Sequence, residues 1–352
     1  MKRIAILTIT NSGMNFGNRL QNYALQEALK RCGADVYTIR SAKSVKGSLL
    51  LSKFRRYLKL MTKNSKRRRI YTSFESANIK YDKRIRYENI NESEFADSYD
   101  AFVSGSDQVW NPYFHFNSDF EFASFAPKNK RYSYAASIGV SEIDDAHRDA
   151  FVKNLMGMEK ISVREDDSVE LVRRLTGITP LRHIDPTMLL DTEEYFRLEE
   201  KPGYDMPKKY LFMYYLGNIS DEYKNKVKEI ADKKGLEIIK FTEKKGEPFY
   251  DIGPQHFLYL IHNAEYICTD SFHGTVFSIL FKKQFAIFTR QDKDVPMNAR
   301  IETLVNTFGL QDRLLSNMGN NYFEDIDYQA IEDVLCLEKR KSYDYLNEVL
   351  NG

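Results

Sequence analysis

Short apolar runs alternate along this chain with amphipathic stretches of helical length. The first half contains predicted strands at Lys2–Ile9, Asp35–Ile39, Asp100–Val103, Arg131–Ser137 and Ile161–Val163. The second half repeats the pattern, with predicted strands at Tyr210–Leu216, Leu236–Phe241, Tyr266–Thr269 and Phe285–Thr289. Such alternation is typical of parallel sheets covered by helices. The chain is therefore predicted to be an α/β protein.

Two consecutive series of this kind predict two doubly wound, Rossmann-like domains that face each other across a cleft. Residues 1–180 would form the first domain and residues 181–325 the second, joined through the proline-containing stretch Pro180–Pro207. Predicted helices over Arg19–Lys30 and Asp221–Lys234 each end near a glycine, as helices commonly do. The last residues, 326–352, are predicted to form a helix that packs back on the first domain.

Composition narrows the class of protein. The chain has 352 residues, which suits two domains, and its net charge of +2 gives no reason to expect a nucleic-acid partner. Cys32, Cys268 and Cys336 lie far apart and are predicted to be reduced thiols. The apolar run at the start is only as long as a strand, and no run approaches the roughly 18 residues of a membrane span. We therefore expect a cytoplasmic protein.

A basic segment interrupts the first domain as an insertion at about residues 43–90. Between Asp35 and Glu75 the chain carries twelve Lys or Arg residues and no acid. Apolar residues recur there at helical spacing (Leu50, Phe54, Leu58, Met61), with Lys53, Arg55, Arg56 and Lys59 between them. A basic amphipathic helix suits an anionic surface at the inner face of a membrane, or a diphosphate-bearing lipid. Nucleic-acid binding and an ordinary solvated helix are the alternatives.

Candidate ligand-binding residues follow the predicted strands, where ligands gather in open α/β sheets. After the first strand, the stretch from Asn11 to Asn18 contains Asn15 and Gly17, which suit close approach of an anion to a helix N-terminus. The alternative is a tight turn in which Asn18 caps the helix.

The third strand is followed by Asp107, Gln108 and Trp110, the only tryptophan of the chain. An acid, an amide and a flat ring suit a sugar, because polar groups bind its hydroxyls and the ring covers its CH face. The alternative is a turn in which Asp107 caps a helix and Trp110 lies in the core.

Two further strand ends carry ionisable residues. Arg164 would point at the mouth of the cleft, where its planar group could hold phosphate or carboxylate; a salt bridge with Glu165 or Asp166 is the alternative. His273, beside Gly274, opens a helix, and the helix dipole makes its pKa tunable. The spacing of His256 and His262 is poor for a metal, so no metal site is expected.

Together these clusters resemble the polysaccharide pyruvyl transferase family. The resemblance is carried, in chain order, by the stretch Asn15–Gln26, Gly-Ser-Asp-Gln-Val-Trp-Asn at 105–111, Ser-Val-Arg-Glu at 162–165, Asp-Pro-Thr-Met-Leu-Leu at 185–190, Asp-Ser-Phe-His-Gly at 270–274 and Asn-Ala-Arg-Ile at 298–301.

The resemblance implies a GT-B-like pair of domains, phosphoenolpyruvate as co-substrate, a glycan or lipid-linked oligosaccharide as acceptor, and no cofactor. His273 would be the general acid, Arg164 would hold phosphate or carboxylate, and Asp107 would accept a hydroxyl proton or position the sugar. The remaining expected contacts are Arg300, Ser271 and Asn18 with the donor, and Trp110, Gln108 and Asn15 with the acceptor.

Two other functions compete with this interpretation. A GT-B glycosyltransferase that uses a nucleotide sugar would share the fold and the cleft. A non-catalytic module that binds membrane or nucleic acid would depend on the basic segment and not on His273.

Overall fold

The structure is a computed structural model that describes residues 1–10, 13–40, 65–82, 92–114, 119–241, 246–290, 299–319 and 321–351. Lys53, Arg55, Arg56 and Lys59 of the predicted amphipathic helix lie outside these ranges. Among the helices within them, none is long and apolar enough to cross a membrane.

Parallel strands form the N-terminal sheet in the order β2-β1-β3-β4, with β1 at Arg3–Leu7, β2 at Asp35–Ile39, β3 at Ala101–Gly105 and β4 at Arg131–Tyr134. Two short parallel strands, β5 at Ser162–Val163 and β6 at Leu181–Arg182, lie next to β4 and are joined to it through a bridge between Ala136 and Val163. Because β6 continues this sheet, the N-terminal domain extends beyond residue 180, where the sequence predicted its end.

A second parallel sheet belongs to the C-terminal domain and has the order β10-β9-β7-β8. Its strands are β7 at Tyr210–Tyr214, β8 at Glu237–Lys240, β9 at Tyr266–Thr269 and β10 at Gln284–Ile287. β7 and β9, at the centre of the order, are buried at every position, which explains why they are continuous apolar runs. Both domains therefore have the doubly wound α/β architecture that the sequence predicted.

Helices pack on both sheets. In chain order they are α1 Phe16–Arg31, α2 Ser65–Asn78, α3 Glu92–Asp97, α4 Asp145–Met156, α5 Asp166–Thr176, α6 Thr192–Leu198, α7 Asp221–Lys234, α8 Pro254–His262, α9 Phe272–Leu280, α10 Ala299–Phe308, α11 Leu315–Met318 and α12 Tyr328–Asn351. The last helix contacts the N-terminal sheet, where the Tyr345 hydroxyl donates to the Ser133 carbonyl at 2.7 Å and Lys160 pairs with Glu348 at 2.7 Å.

Short polar side chains cap the two helices that open beside the cleft. Asn15, and not Asn18, caps α1, because its side chain accepts a hydrogen bond from the Asn18 N–H at 3.0 Å. Ser271 caps α9 in the same way through the Gly274 N–H, at 3.3 Å. Each cap satisfies a donor that the helix leaves free, and so fixes where the helix begins.

A buried histidine joins β6 to the core. His183 Nδ1 lies 2.8 Å from the Ser162 hydroxyl, and the ring stacks on Tyr134 and contacts Tyr345. Burial, opposed by Glu338 and reinforced by Arg182, lowers the pKa of His183 to about 4. The folded protein therefore keeps this imidazole neutral at pH values where the unfolded chain, with its ordinary pKa of about 6.5, takes up a proton.

This difference makes stability depend on pH. Between about pH 6.5 and 4 the unfolded state binds the extra proton, so we expect the contribution of His183 to destabilise the fold progressively as the pH falls, by about 3 kcal/mol in total. Urea unfolding of the wild type and of His183→Gln between pH 7 and 4.5 measures this. The free energy of unfolding of the variant should depend less steeply on pH than that of the wild type. Identical pH dependences of the two proteins would contradict the prediction.

Candidate active site

A cleft of about 280 Å³ lies between the two domains. The residues that line it follow β1 and β3 of the first sheet and β7, β9 and β10 of the second, or begin α10: Ile9, Asn15, Asp107, Gln108, Phe114, Leu216, Ser271, Phe272, His273, Arg290 and Arg300. The carboxyl ends of the strands in both sheets therefore meet here, and it is at such ends that open α/β sheets bind ligands.

His273 lies in the first turn of α9 and is 7% exposed. Its Nε2 lies 3.7 Å from Oδ2 of Asp185, and within the described part of the chain this nitrogen has no hydrogen-bond partner. The imidazole belongs to the C-terminal domain, whereas Asp185 follows β6 of the N-terminal sheet. The contact therefore crosses the domain interface.

Asp185 is the buried counter-ion of this site. Its Oδ2 accepts from Arg164 Nη1 at 2.5 Å and from the Ser106 hydroxyl at 3.2 Å, and its Oδ1 accepts from the Thr187 N–H and hydroxyl at 3.0 and 2.7 Å. Burial by itself would raise the pKa of this carboxyl. The charges of His273 and Arg164 outweigh that effect and hold the pKa well below its usual range. Asp185 therefore stays ionised beside the imidazole.

Arg164 lies one layer behind the cleft and does not line it, contrary to the sequence prediction. It is 3% exposed, its guanidinium lies 4.2 Å from the centre of the Phe272 ring, and it pairs with Glu165 at 2.9 Å as well as with Asp185. Burial would lower its pKa, but the two carboxylates raise it. One guanidinium nitrogen, Nη2, has no partner among the described residues.

Two further arginines make one side of the cleft cationic. Arg300 is 8% exposed, and its Nε has no hydrogen-bond partner in the described ranges. Burial, followed by the nearby charge of Arg164, lowers its pKa to about 10, so it remains a cation at neutral pH. Arg290 lies 3.5 Å from Asp270, whose carboxylate also accepts from the Leu216 and Gly217 N–H groups. This side of the cleft, the cationic wall, consists of Arg290, Arg300 and Ser271.

The opposite side of the cleft comes from the N-terminal domain and is polar without being cationic. Asp107 adopts a left-handed conformation (φ +61°) that turns the chain directly after β3, and its carboxylate accepts from Asn18 Nδ2 at 3.2 Å. Gln108 and Asn15 line the cleft beside it. The amide nitrogen of Gln108 is buried against Gly139, where an added Cβ would overlap it, and it has no hydrogen-bond partner among the described residues. Asn15, Asp107 and Gln108 form the polar wall.

Two predicted contacts are wrong. Trp110 is 0% exposed, its ring stacks on Phe122 at 4.8 Å, and its indole N–H donates to the Glu121 carbonyl at 3.3 Å. Its ring is fully covered by core residues and cannot stack on a sugar. Asn18 is also buried, and its side chain bonds to Asp107 and Arg19 instead of lining the cleft. Asn18 supports the polar wall from behind through its hydrogen bond to Asp107.

The sequence model of the polysaccharide pyruvyl transferase family matches residues 15–292. The chain belongs to this family. The matched range includes His273, Asp185, Asp107 and Arg290 and ends before Arg300. No curated protein matches the sequence significantly.

Solved structures show the fold that this family member adopts. UDP-GlcNAc 2-epimerase from Methanocaldococcus jannaschii matches with a TM-score of 0.50 and 14% identity, over 96% of this chain and 99% of that chain. A UDP-N-acetylglucosamine 2-epimerase from Listeria monocytogenes (TM-score 0.49, 12% identity, 99% and 90% covered) and Anabaena HepE in complex with UDP and glucose (0.47, 10%, 100% and 98%) are further matches. The arrangement of the two domains is GT-B-like, as predicted.

Several residues in the cleft or directly behind it were not predicted as site residues. Asp185 and Arg290 each follow a strand, β6 and β10, so the same rule of strand ends could have found them. Phe114 and Leu216 line the cleft without any local signal that distinguishes them from other apolar residues. They are recognised only from the way the two domains face each other.

The cleft therefore places an imidazole, with a buried carboxylate 3.7 Å from it, between a cationic wall and a polar wall. Such an arrangement can bind an anion, deliver a proton and hold a hydroxyl-bearing molecule opposite. Within the described ranges, no group of three or more His, Cys, Asp or Glu side chains is placed to hold a metal ion.

Gly17 offers a direct test of this geometry. A Cβ added there would overlap the imidazole of His273, so we expect Gly17→Ala to displace the imidazole and lower kcat on the order of a hundredfold. The helix itself should tolerate alanine, which favours helix over glycine. Gly203→Ala is the matched control, because a Cβ there meets no atom within 4 Å. Equal activity of the two variants would contradict the prediction.

Proposed function

We propose that this protein transfers pyruvate from phosphoenolpyruvate to two hydroxyls of a sugar, forming a cyclic ketal and releasing phosphate. The observation that carries the proposal is the position of His273, backed by the ionised Asp185, beside the cationic wall. Phosphoenolpyruvate is a small trianion at neutral pH, and its reaction begins with protonation of a carbon. Buried cations and an imidazole placed to act as general acid supply both requirements.

The donor would bind with its carboxylate and phosphate on Arg290 and Arg300. His273 then delivers its proton to the methylene carbon, and the two π electrons of the double bond form the new C–H bond. The neighbouring carbon becomes an oxocarbenium-like centre. The cations of the wall offset the charge on the phosphate that later leaves.

The acceptor would lie against the polar wall, with Gln108 and Asn15 on its hydroxyls. The first hydroxyl attacks the cationic carbon and gives its proton to Asp107. The C–O bond to phosphate then breaks, and phosphate leaves with the electron pair. Asp107 passes its proton to the departing phosphate. A second hydroxyl attacks the same carbon and gives its proton to the imidazole of His273, which closes the ketal and restores the acid. One donor and one diol thus give one ketal and one phosphate.

We further propose that the acceptor is a cell-surface or capsular glycan and that it is carried on a lipid. The support is the basic segment, whose described end begins α2 with the exposed residues Lys66, Arg68 and Arg69. Anionic lipid contributes about 1 kcal/mol for each basic residue near its surface. Lys53, Arg55, Arg56 and Lys59 lie outside the described residues, so binding to lipid stays a prediction.

The test is an incubation of the purified protein with phosphoenolpyruvate and either free or lipid-linked oligosaccharides. We expect release of inorganic phosphate together with a product heavier than the acceptor by one pyruvate less one water. A parallel incubation with a nucleotide sugar in place of phosphoenolpyruvate tests the competing glycosyltransferase. Release of nucleotide there, with no phosphate from phosphoenolpyruvate, would overturn the proposal in favour of that alternative.

A further inference from the structure

Phe16 is the first residue of α1 and extends from the N-terminal domain into the C-terminal domain. It is 1% exposed. Its ring centre lies 5.0 Å from that of Phe257 in α8, 5.1 Å from that of Phe241 after β8, and 5.8 Å from that of Tyr214 in β7. All three of these rings belong to the C-terminal domain. The side chain thus packs among three rings of the opposite domain, and Tyr71 of its own domain stacks on it at 5.8 Å.

The neighbours of Phe16 along the chain both belong to the active site. Asn15 caps α1 and lines the cleft as part of the polar wall. Gly17 packs directly against the imidazole of His273, since a Cβ in its place would overlap that ring. The position of Phe16 in its pocket therefore sets where Asn15 and Gly17 lie relative to the catalytic histidine.

The residue before Asn15 is held from the other side. The Met14 carbonyl accepts from the Tyr71 hydroxyl at 2.7 Å and from Arg67 at 3.5 Å, both in α2 of the N-terminal domain. The segment Met14–Gly17 is thus fastened to its own domain at Met14 and to the opposite domain at Phe16. Domains that share a sizeable apolar interface move little relative to each other, which suits a site whose parts come from both.

We propose that Phe16 is a positioning residue: it keeps the polar wall and Gly17 at their distances from His273 across the domain interface. This inference rests on the proposed function for the role of His273. Phe16 itself is absent from the cleft lining, so it acts through Asn15, Gly17 and the contact between His273 and Asp185.

The inference predicts an unequal effect on the kinetic constants. The cationic wall is carried entirely by the C-terminal domain, so loosening Phe16 should leave the KM for phosphoenolpyruvate within about twofold. The geometry between the proton donor and the acceptor site depends on the relative position of the two domains. We therefore expect kcat to fall at least tenfold and the KM for the acceptor to rise, since small misplacements of reacting groups cost on the order of a hundredfold.

The experiment compares Phe16→Leu and Phe257→Leu, which shorten the same contact from its two sides, with Phe95→Leu. Phe95 is the matched control, because it is 5% exposed and has ring neighbours at 4.8, 5.3 and 5.8 Å within the N-terminal domain, away from the cleft. Both interface variants should lower kcat at least tenfold, and the control should not. Their double variant should lose little more than either single variant.

A second readout does not require activity. Hydrogen–deuterium exchange of a peptide covering residues 13–22 should accelerate in Phe16→Leu and Phe257→Leu but not in Phe95→Leu, because the Asn18 N–H is protected by the cap at Asn15. If the wild type proved inactive on phosphoenolpyruvate and the two interface variants still exchanged faster, the proposed function would be overturned but not the anchoring by Phe16. Unchanged exchange, or equal loss of kcat in all three variants, would overturn the inference.

Discussion

Replacement of His273 by Gln is expected to lower kcat by about a hundredfold or more, the scale for loss of a positioned proton donor. Glutamine has similar size and polarity but cannot deliver a proton to carbon. The folded state should remain, because the imidazole Nε2 makes no hydrogen bond in the described structure that the variant would lose. The measurement is the rate of phosphate release at saturating phosphoenolpyruvate and acceptor, together with the thermal unfolding midpoint.

His262→Gln is the control for this prediction. His262 lies on the same domain, in α8, where it bonds to Glu199 at 2.8 Å and stacks on Phe196, away from the cleft. Its replacement should leave kcat within about twofold. If His273→Gln kept nearly full activity, the proton would have to come from another group and the proposed mechanism would fail.

The second large effect is expected for Asp185→Asn. An amide cannot neutralise the buried Arg164 guanidinium, which keeps Glu165 as its only remaining ion-pair partner among the described residues. Breaking a buried ion pair by removing one partner costs about 3 kcal/mol or more of stability. His273 also loses the carboxylate that lies 3.7 Å from its Nε2, so kcat should fall by about tenfold to a hundredfold in the protein that remains folded.

Asp191→Asn is the control: it removes one negative charge, as Asp185→Asn does, but at an exposed position away from His273 and Arg164. The Asp191 side chain is 62% exposed and pairs with Lys339 at 3.2 Å and Arg31 at 3.5 Å. Exposed pairs of this kind contribute at most about 1 kcal/mol, so stability and kcat should change little. Chemical unfolding and single-turnover rates of both variants measure the difference. A stable and fully active Asp185→Asn would show that Asp185 supports neither the fold nor the acid.

The sequence by itself determined the architecture. Apolar runs of strand length and the glycine that ends α7 are local features, and their order along the chain limits the topology to two parallel sheets. The same reasoning placed His273 and Asp107 at strand ends, and both line the cleft. Local patterns suffice here because a parallel strand must deliver its carboxyl end to one edge of its sheet.

Only the tertiary structure decided which side chains meet. Trp110 and Asp107 lie three positions apart, yet Trp110 is fully buried against Phe122 and Asp107, in a left-handed conformation, lines the cleft. The partnership of Asp185 with His273, and the insertion of Phe16 into the opposite domain, join residues far apart in sequence. Periodicity reports which face of an element is apolar; it contains no information on the relative placement of two domains, and that placement assembles this site.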